Sequence, residues 1–154
     1  MSAPIRRLNH AVLYVREARV SAASYTEVLG LEVVTEVADG AAIFLRAPGG
    51  DNHHDLGLFS VGPQAVSPSR IGLYHLAWEV GTVSELVAVR ARLAAAGALA
   101  GESDHGISKS IYARDPDGIE LEVMWALPRE HWGTMEHEAI VRPLDLAAEL
   151  AHWG

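Results

Sequence analysis

With 154 residues the chain is long enough for one well-buried domain and too short for two ordinary ones. A hydrophobic fraction of 49% suits a compact core, and a formal charge of -8 without any basic run argues against a nucleic-acid partner. There is no cysteine, which excludes disulfides and thiolate ligands and leaves any metal to histidine, aspartate or glutamate, the donor set suited to iron, manganese, nickel or zinc.

Residues 1–8 lack an apolar core of signal-peptide length, and no apolar stretch approaches the roughly 20 residues of a membrane span, so a cytoplasmic protein without a membrane partner is expected. Residues 5–15 alternate well enough for a strand, and 17–29 carry a helical pattern stopped by Gly30 as C-terminal cap. Strands over 31–37 and 41–46 form a hairpin turning at Asp39-Gly40, a dipeptide that tolerates positive φ. The turn Gly49-Gly50-Asp51-Asn52 leads into a strand over 54–61, and 62–70, with Pro63 and Pro68, form a linker. A strand over 71–80 precedes a helix over 82–96, whose Thr82 and Glu85 make a capping box. Strands over 108–114 and 118–125 close a hairpin across Asp115-Pro116-Asp117-Gly118. The tail from Leu127 carries Trp132 and a short amphipathic helix over 143–152; that helix needs a surface to cover, which makes a homodimer the expected assembly.

The order β, α, β, β, β therefore occurs twice. Laid on itself with an offset of 65 to 68 residues, the chain matches Leu8-Asn9-His10 with Leu73-Tyr74-His75 and Gly30 with Gly97, and places His54 opposite Glu122. The expected fold class is α+β: one domain over 1–154, built of two βαβββ modules, 5–61 and 71–126, with the linker 62–70 between them and the tail 127–154 behind. Polar residues repeat as well as leucines, and His10, His75 and Glu122 together make a two-histidine, one-carboxylate set. Strand periodicity puts Leu8, His10, Val12 and Tyr14 on one face, and likewise Glu120, Glu122 and Met124. If Leu121, Val123 and Trp125 pack against a helix, Glu122 looks into the opposite, concave side, where a carboxylate must be hydrogen-bonded, paired or bound to a cation. Glu120 points the same way and competes with Glu122 for the role.

The segment Ser24-Tyr25-Thr26-Glu27-Val28-Leu29-Gly30-Leu31 and the turn Arg114-Asp115-Pro116-Asp117-Gly118 before an acidic strand resemble the vicinal oxygen chelate superfamily, over nearly the whole chain up to Trp125. That superfamily covers glyoxalases, antibiotic-resistance proteins and extradiol ring-cleaving dioxygenases. The resemblance implies two βαβββ modules whose sheets form a U-shaped cup around one metal. Finer motifs resemble the extradiol enzymes of the catechol 2,3-dioxygenase type. Tyr112 lies 10 residues before Glu122, the spacing of that group's active-site tyrosine ahead of its glutamate ligand, which favours Glu122 over Glu120. The run Asp104-His105-Gly106-Ile107-Ser108-Lys109-Ser110-Ile111-Tyr112 resembles the group's histidine-glycine approach to that tyrosine. His54-Asp55-Leu56-Gly57-Leu58 is similar to the motif around its acid/base histidine, with His53 as the neighbouring alternative because the stretch from His54 to His75 is longer than in the two-domain enzymes.

The resemblance implies Fe(II), or Mn(II), held by His10, His75 and Glu122, with three positions left for a small aromatic diol chelating through two oxygens and for O2. It implies His54 as the general acid/base, since an imidazole titrates near neutrality, Tyr112 as a hydrogen-bond partner of the substrate oxygen, and His105 as the group that orients the substrate or gates the pocket. The implied activity is extradiol cleavage of a catechol. Each residue has a plainer reading: His54 as solvent-exposed beside a turn, Tyr112 as a core aromatic with its hydroxyl at the rim, and His131, His137 and His152 as surface residues. Two other functions stay open. If His54 also ligates, the four-ligand set His10, His54, His75 and Glu122 suits a glyoxalase-like isomerase or lyase that needs no O2. A cup lined by Tyr14, Trp78 and Trp125 would instead sequester an aromatic antibiotic without a metal.

Overall fold

A computed structural model describes residues 8–51, 53–63 and 73–154. The chain divides into two compact units, Met1–Ser67 and Pro68–Gly154. Residues 5–7 of the first expected strand and most of the expected linker lie outside the described residues.

Unit 1 runs β1 (Ala11–Val15), α1 (Ala18–Leu29), β2 (Glu32–Val37), β3 (Ala42–Arg46) and β4 (Leu56–Ser60). Its sheet has the order β1-β4-β3-β2, with β4 parallel to β1 and antiparallel to β3. Helix α1 forms because Ala18, Ser21, Ala22, Tyr25 and Val28 recur every three or four residues and bury one stripe on β3 and β4, where Leu45, Leu56 and Leu58 are wholly enclosed. It ends at Gly30, which takes a φ of 76° that a β-carbon would resist and donates its N–H to the Thr26 carbonyl at 3.0 Å.

Unit 2 repeats the plan with β5 (His75–Glu79), α2 (Val83–Ala95), β6 (Leu99–Asp104), β7 (Ser108–Arg114) and β8 (Glu120–Ala126), in the order β5-β8-β7-β6. Helix α2 buries Val83, Leu86, Val89 and Leu93 on the sheet face carrying Ile111, Ala113, Leu121 and Val123. Enclosing a leucine of this kind contributes about 1.5–3 kcal/mol. The capping box is present: Glu85 N–H donates to Thr82 Oγ1 at 3.1 Å, and Thr82 N–H donates to Glu85 Oε2 at 3.0 Å. Two 3-10 turns (Arg129–His131 and Gly133–His137) lead to α3 (Leu146–Trp153). Both units are βαβββ, and the α+β class expected from the sequence is the one found.

Four details depart from expectation. Residues 99–104 form a strand although they lack the β-branched run that announces one, because β6 pairs along β7 with a register shift between Leu99 and Gly101. The strand expected from residue 54 starts at Leu56, so His54 stands just ahead of it. Strand register also corrects the pairing of the repeats. Glu122 lies between Ala77 and Tyr112, and the residue in the matching place of unit 1, between Val12 and Phe44, is Gly57 rather than His54. Finally, Trp78 pairs with the buried Val123 and Trp125 is buried against Trp153 with ring centroids 5.6 Å apart, so both tryptophans belong to the helical side of the sheet and not to the face of Glu122. The apolar lining that an antibiotic cup required from Trp78 and Trp125 is therefore not made.

Helix α3 packs on α2 of its own chain. Among the described residues no helix is long and apolar enough to cross a membrane.

Candidate functional site

Strand β8 alternates cleanly. Leu121, Val123 and Trp125 are buried under the helices, and Glu120, Glu122 and Met124 are half-buried on the other face. His75, the first residue of β5, pairs in register with Glu120 and lies between the two carboxylates. Its Nε2 is 3.0 Å from Glu122 Oε2, and its Nδ1 is 3.8 Å from Glu120 Oε1. That Nδ1 is buried and has no hydrogen-bond partner among the described residues.

This donor set fits a divalent cation. Two donors bound at right angles to one ion at about 2.1 Å lie about 3.0 Å apart, the separation of His75 Nε2 and Glu122 Oε2. With Nε2 facing an ion, the proton would sit on Nδ1, whose nearest carboxylate is Glu120 at 3.8 Å. Glu122 is thus the carboxylate nearer His75 Nε2, and Glu120 the one nearer Nδ1.

Tyr112 pairs with Glu122 across β7 and β8. Burial, and then the Glu122 carboxylate, push its phenol above the ordinary value. His105, in the loop between β6 and β7, reaches back to the same tyrosine: its Nε2 is 2.8 Å from the Tyr112 hydroxyl, and its Nδ1 is 2.9 Å from the carbonyl oxygen of Ile140. A carbonyl only accepts, so these partners assign the proton to Nδ1 and leave Nε2 to accept the Tyr112 hydroxyl.

In unit 1, His10 precedes β1 and is exposed, with Nδ1 2.9 Å from Asn9 Oδ1. The ring of His54 lies 4.6 Å from that of His10 and meets Phe44 edge-on at 4.8 Å. Its neighbour His53 is exposed, with the two Nδ1 atoms 3.0 Å apart. Burial, then the charges of His10 and His53, hold the His54 imidazole below its usual pKa, which favours the uncharged ring. Of the two neighbours, His54 is the half-buried one and the one set against His10.

The structure therefore joins His75 with Glu122, Tyr112 with Glu122 and with His105, and His10 with His54. Among the described residues no group of three or more histidine, aspartate or glutamate side chains gathers closely enough to hold a metal ion. His131, His137 and His152 are exposed, although His131 and His152 touch the Trp153 ring. Sequence reasoning missed a charged cluster behind His105, made of Asp104, Lys109, Arg142 and Glu149. A signal was available, because Lys109 shares strand parity with the inward-facing Ile111 and Ala113. The Ile140 carbonyl carried no signal, lying 35 residues from His105.

The sequence model of the Glyoxalase/Bleomycin resistance protein/Dioxygenase superfamily matches residues 7–123, more than half of the chain. The chain belongs to this superfamily. Within it, the chain is 31% identical to Catechol-2,3-dioxygenase of Bacillus subtilis (strain 168) over 128 residues, which are 81% of this chain and 43% of that protein. The chain thus spans less than half the length of that relative. Biphenyl-2,3-diol 1,2-dioxygenase 3 of Rhodococcus globerulus is 32% identical over 139 residues, 86% of this chain and 71% of that protein. A solved superfamily domain from Frankia sp. EAN1pec has a TM-score of 0.70 at 25% identity, covering 88% of this chain and all of its own.

Proposed function

We propose that this superfamily member is an extradiol ring-cleaving dioxygenase that acts on a catechol-type diol with O2, using Fe(II), or Mn(II) in its place, held by His10, His75 and Glu122. The observation that carries the reading is the convergence of His75 Nε2 and Glu122 Oε2 at 3.0 Å, with Tyr112 beside the carboxylate. The two dioxygenases to which the chain is about a third identical support the same choice. When bound, the metal would supply coordination of the diol and of O2 and a route for electron density from ring to oxygen.

The remaining work falls to side chains. Glu120, 3.8 Å from His75 Nδ1, supplies a negative charge that favours a proton on that nitrogen and leaves Nε2 for ligation. Tyr112, whose own proton goes to His105, offers its oxygen as an acceptor to a substrate hydroxyl, and its raised pKa keeps it a phenol while it does so. His54, uncharged through burial and its histidine neighbours, takes a proton and returns it as the ring opens, the duty of a general acid/base. In unit 1, Val12, Tyr14, Phe44 and Phe59 share one sheet face; Phe44 and Phe59 meet edge-on at 5.8 Å.

The test is oxygen uptake by the Fe(II)-loaded protein in the presence of catechol, with appearance of a yellow semialdehyde. Stoichiometric uptake of O2 with the diol is the expected result. Inertness towards a panel of catechols, together with turnover of a hemithioacetal, would assign the chain to the glyoxalase-like chemistry instead.

A further inference from the structure

The loop that carries His105 is pinned from behind by the C-terminal segment. Asp104 and Arg142 exchange both backbone hydrogen bonds, at 2.9 and 3.0 Å, so the tail adds a single rung to the edge of β6. The side chains repeat the link: Arg142 Nε donates to Asp104 Oδ2 at 2.7 Å, and Lys109 Nζ donates to Asp104 Oδ1 at 2.6 Å. Lys109, only 3% exposed, also meets Glu149 of α3 at 3.1 Å. Burying an ammonium and a carboxylate is costly unless they are paired and hydrogen-bonded, so this cluster has one low-energy arrangement and loses it if the tail slips. Ile140 lies two residues before Arg142, packed so close that a β-carbon on Gly106 would come within 2.7 Å of its Cδ1.

We infer that Arg142 and Glu149 are positioning residues for the diol site: they hold the Ile140 carbonyl against His105 Nδ1 and so fix which tautomer His105 presents to Tyr112. With Nδ1 donating to Ile140, Nε2 accepts from Tyr112, and the tyrosine oxygen faces the substrate as an acceptor. Without that carbonyl, Nε2 is free to carry the proton. It would then donate to Tyr112 and turn the phenol proton towards the substrate, opposing a diol hydroxyl that must be accepted. The functional half of this inference rests on the dioxygenase reading, and the tautomer half does not.

The deciding experiment is two-bond proton-nitrogen NMR of histidine-labelled full-length protein, loaded with diamagnetic Zn(II), at a pH well above the ordinary imidazole value of about 6.5. It is read beside kcat and KM for catechol on the Fe(II) form. The native chain is expected to show His105 as the Nδ1–H tautomer. Arg142→Ala, at a largely exposed side chain, is expected to give mixed tautomers and a kcat lower by about tenfold or more, with metal content unchanged. Arg142→Lys should restore both, and Glu149→Gln, which removes the charge facing Lys109, should shift the tautomer in the same direction if Arg142→Ala does not fold. A pure Nδ1–H signal in folded Arg142→Ala and Glu149→Gln, or an Nε2–H signal in the native chain, would overturn the inference. Absence of catechol turnover in every variant, with the tautomer shift intact, would overturn the dioxygenase reading and leave the positioning role standing.

Discussion

The two units share a plan and a core, and differ on one sheet face. Ile43, Leu56 and Leu58 of unit 1 are buried at the places that Ile111, Leu121 and Val123 occupy in unit 2. On the opposite face the matching triplets are Val12, Gly57 and Phe44 in one unit and Ala77, Glu122 and Tyr112 in the other. The same register thus offers hydrocarbon in unit 1 and a carboxylate with a phenol in unit 2. A repeated fold lets one half carry a carboxylate at a sheet position where the other half has no side chain at all. In unit 1 there is little room for one: a β-carbon on Gly57 would lie 3.3 Å from Phe44 and 3.4 Å from Val12.

The most severe way to erase the difference is Glu122→Gly, which gives unit 2 the residue of unit 1. It should abolish stoichiometric metal binding and ring cleavage, as should His10→Ala or His75→Ala, because three protein ligands leave none to spare; metal analysis of purified protein reads the result. Full metal content in Glu122→Gly would move the carboxylate ligand to Glu120. The next effect belongs to unit 1. His54→Asn should keep the metal and lower the ring-cleavage rate by about 10² to 10⁴, the usual loss with a general acid/base. Loss of the metal in that variant would favour the four-ligand isomerase. A smaller effect is expected at Glu120, where Glu120→Gln should weaken metal affinity by about 10–100-fold without eliminating binding, as removal of an outer partner does. Competition with a chelator would measure it.

How far all this could be read in the sequence depended on the range of the interaction. Helix caps are local, and both the Thr82–Glu85 box and the Gly30 cap were legible. The βαβββ repeat was legible because its apolar patterns are periodic. Face assignments were partly so: Glu122 and Trp125 stand three places apart on one strand, which already puts them on opposite faces. His54 was matched with Glu122 by counting along the chain, whereas bulges and unequal loops make register a property of pairing, and pairing gave Gly57. Strand β6 has little propensity of its own and is held by its neighbour. The contact of Ile140 with His105 joins the tail to a loop, and no local pattern encodes it.

The gentlest probe is acid. Burial alone would raise the Asp104 carboxyl, but Lys109, Arg142 and the Gly106 amide outweigh it and hold the folded pKa below the ordinary value. A lowered carboxylate pKa adds stability above the unfolded value of about 3.9, and that stability is lost as pH falls through the folded value. Urea melts of the native chain and of Asp104→Asn should therefore differ near neutrality and converge with acidification below about pH 4. A difference independent of pH would mean that Asp104 contributes shape and not charge.

The central claim, a two-histidine, one-carboxylate site performing extradiol cleavage, is tested most directly by proton NMR of the product formed from catechol and O2 by the Fe(II)-loaded chain. Extradiol cleavage cuts beside the diol and predicts the aldehyde resonance of 2-hydroxymuconic semialdehyde. A symmetric muconic diacid without an aldehyde proton, the product of cleavage between the hydroxyl-bearing carbons, would contradict it.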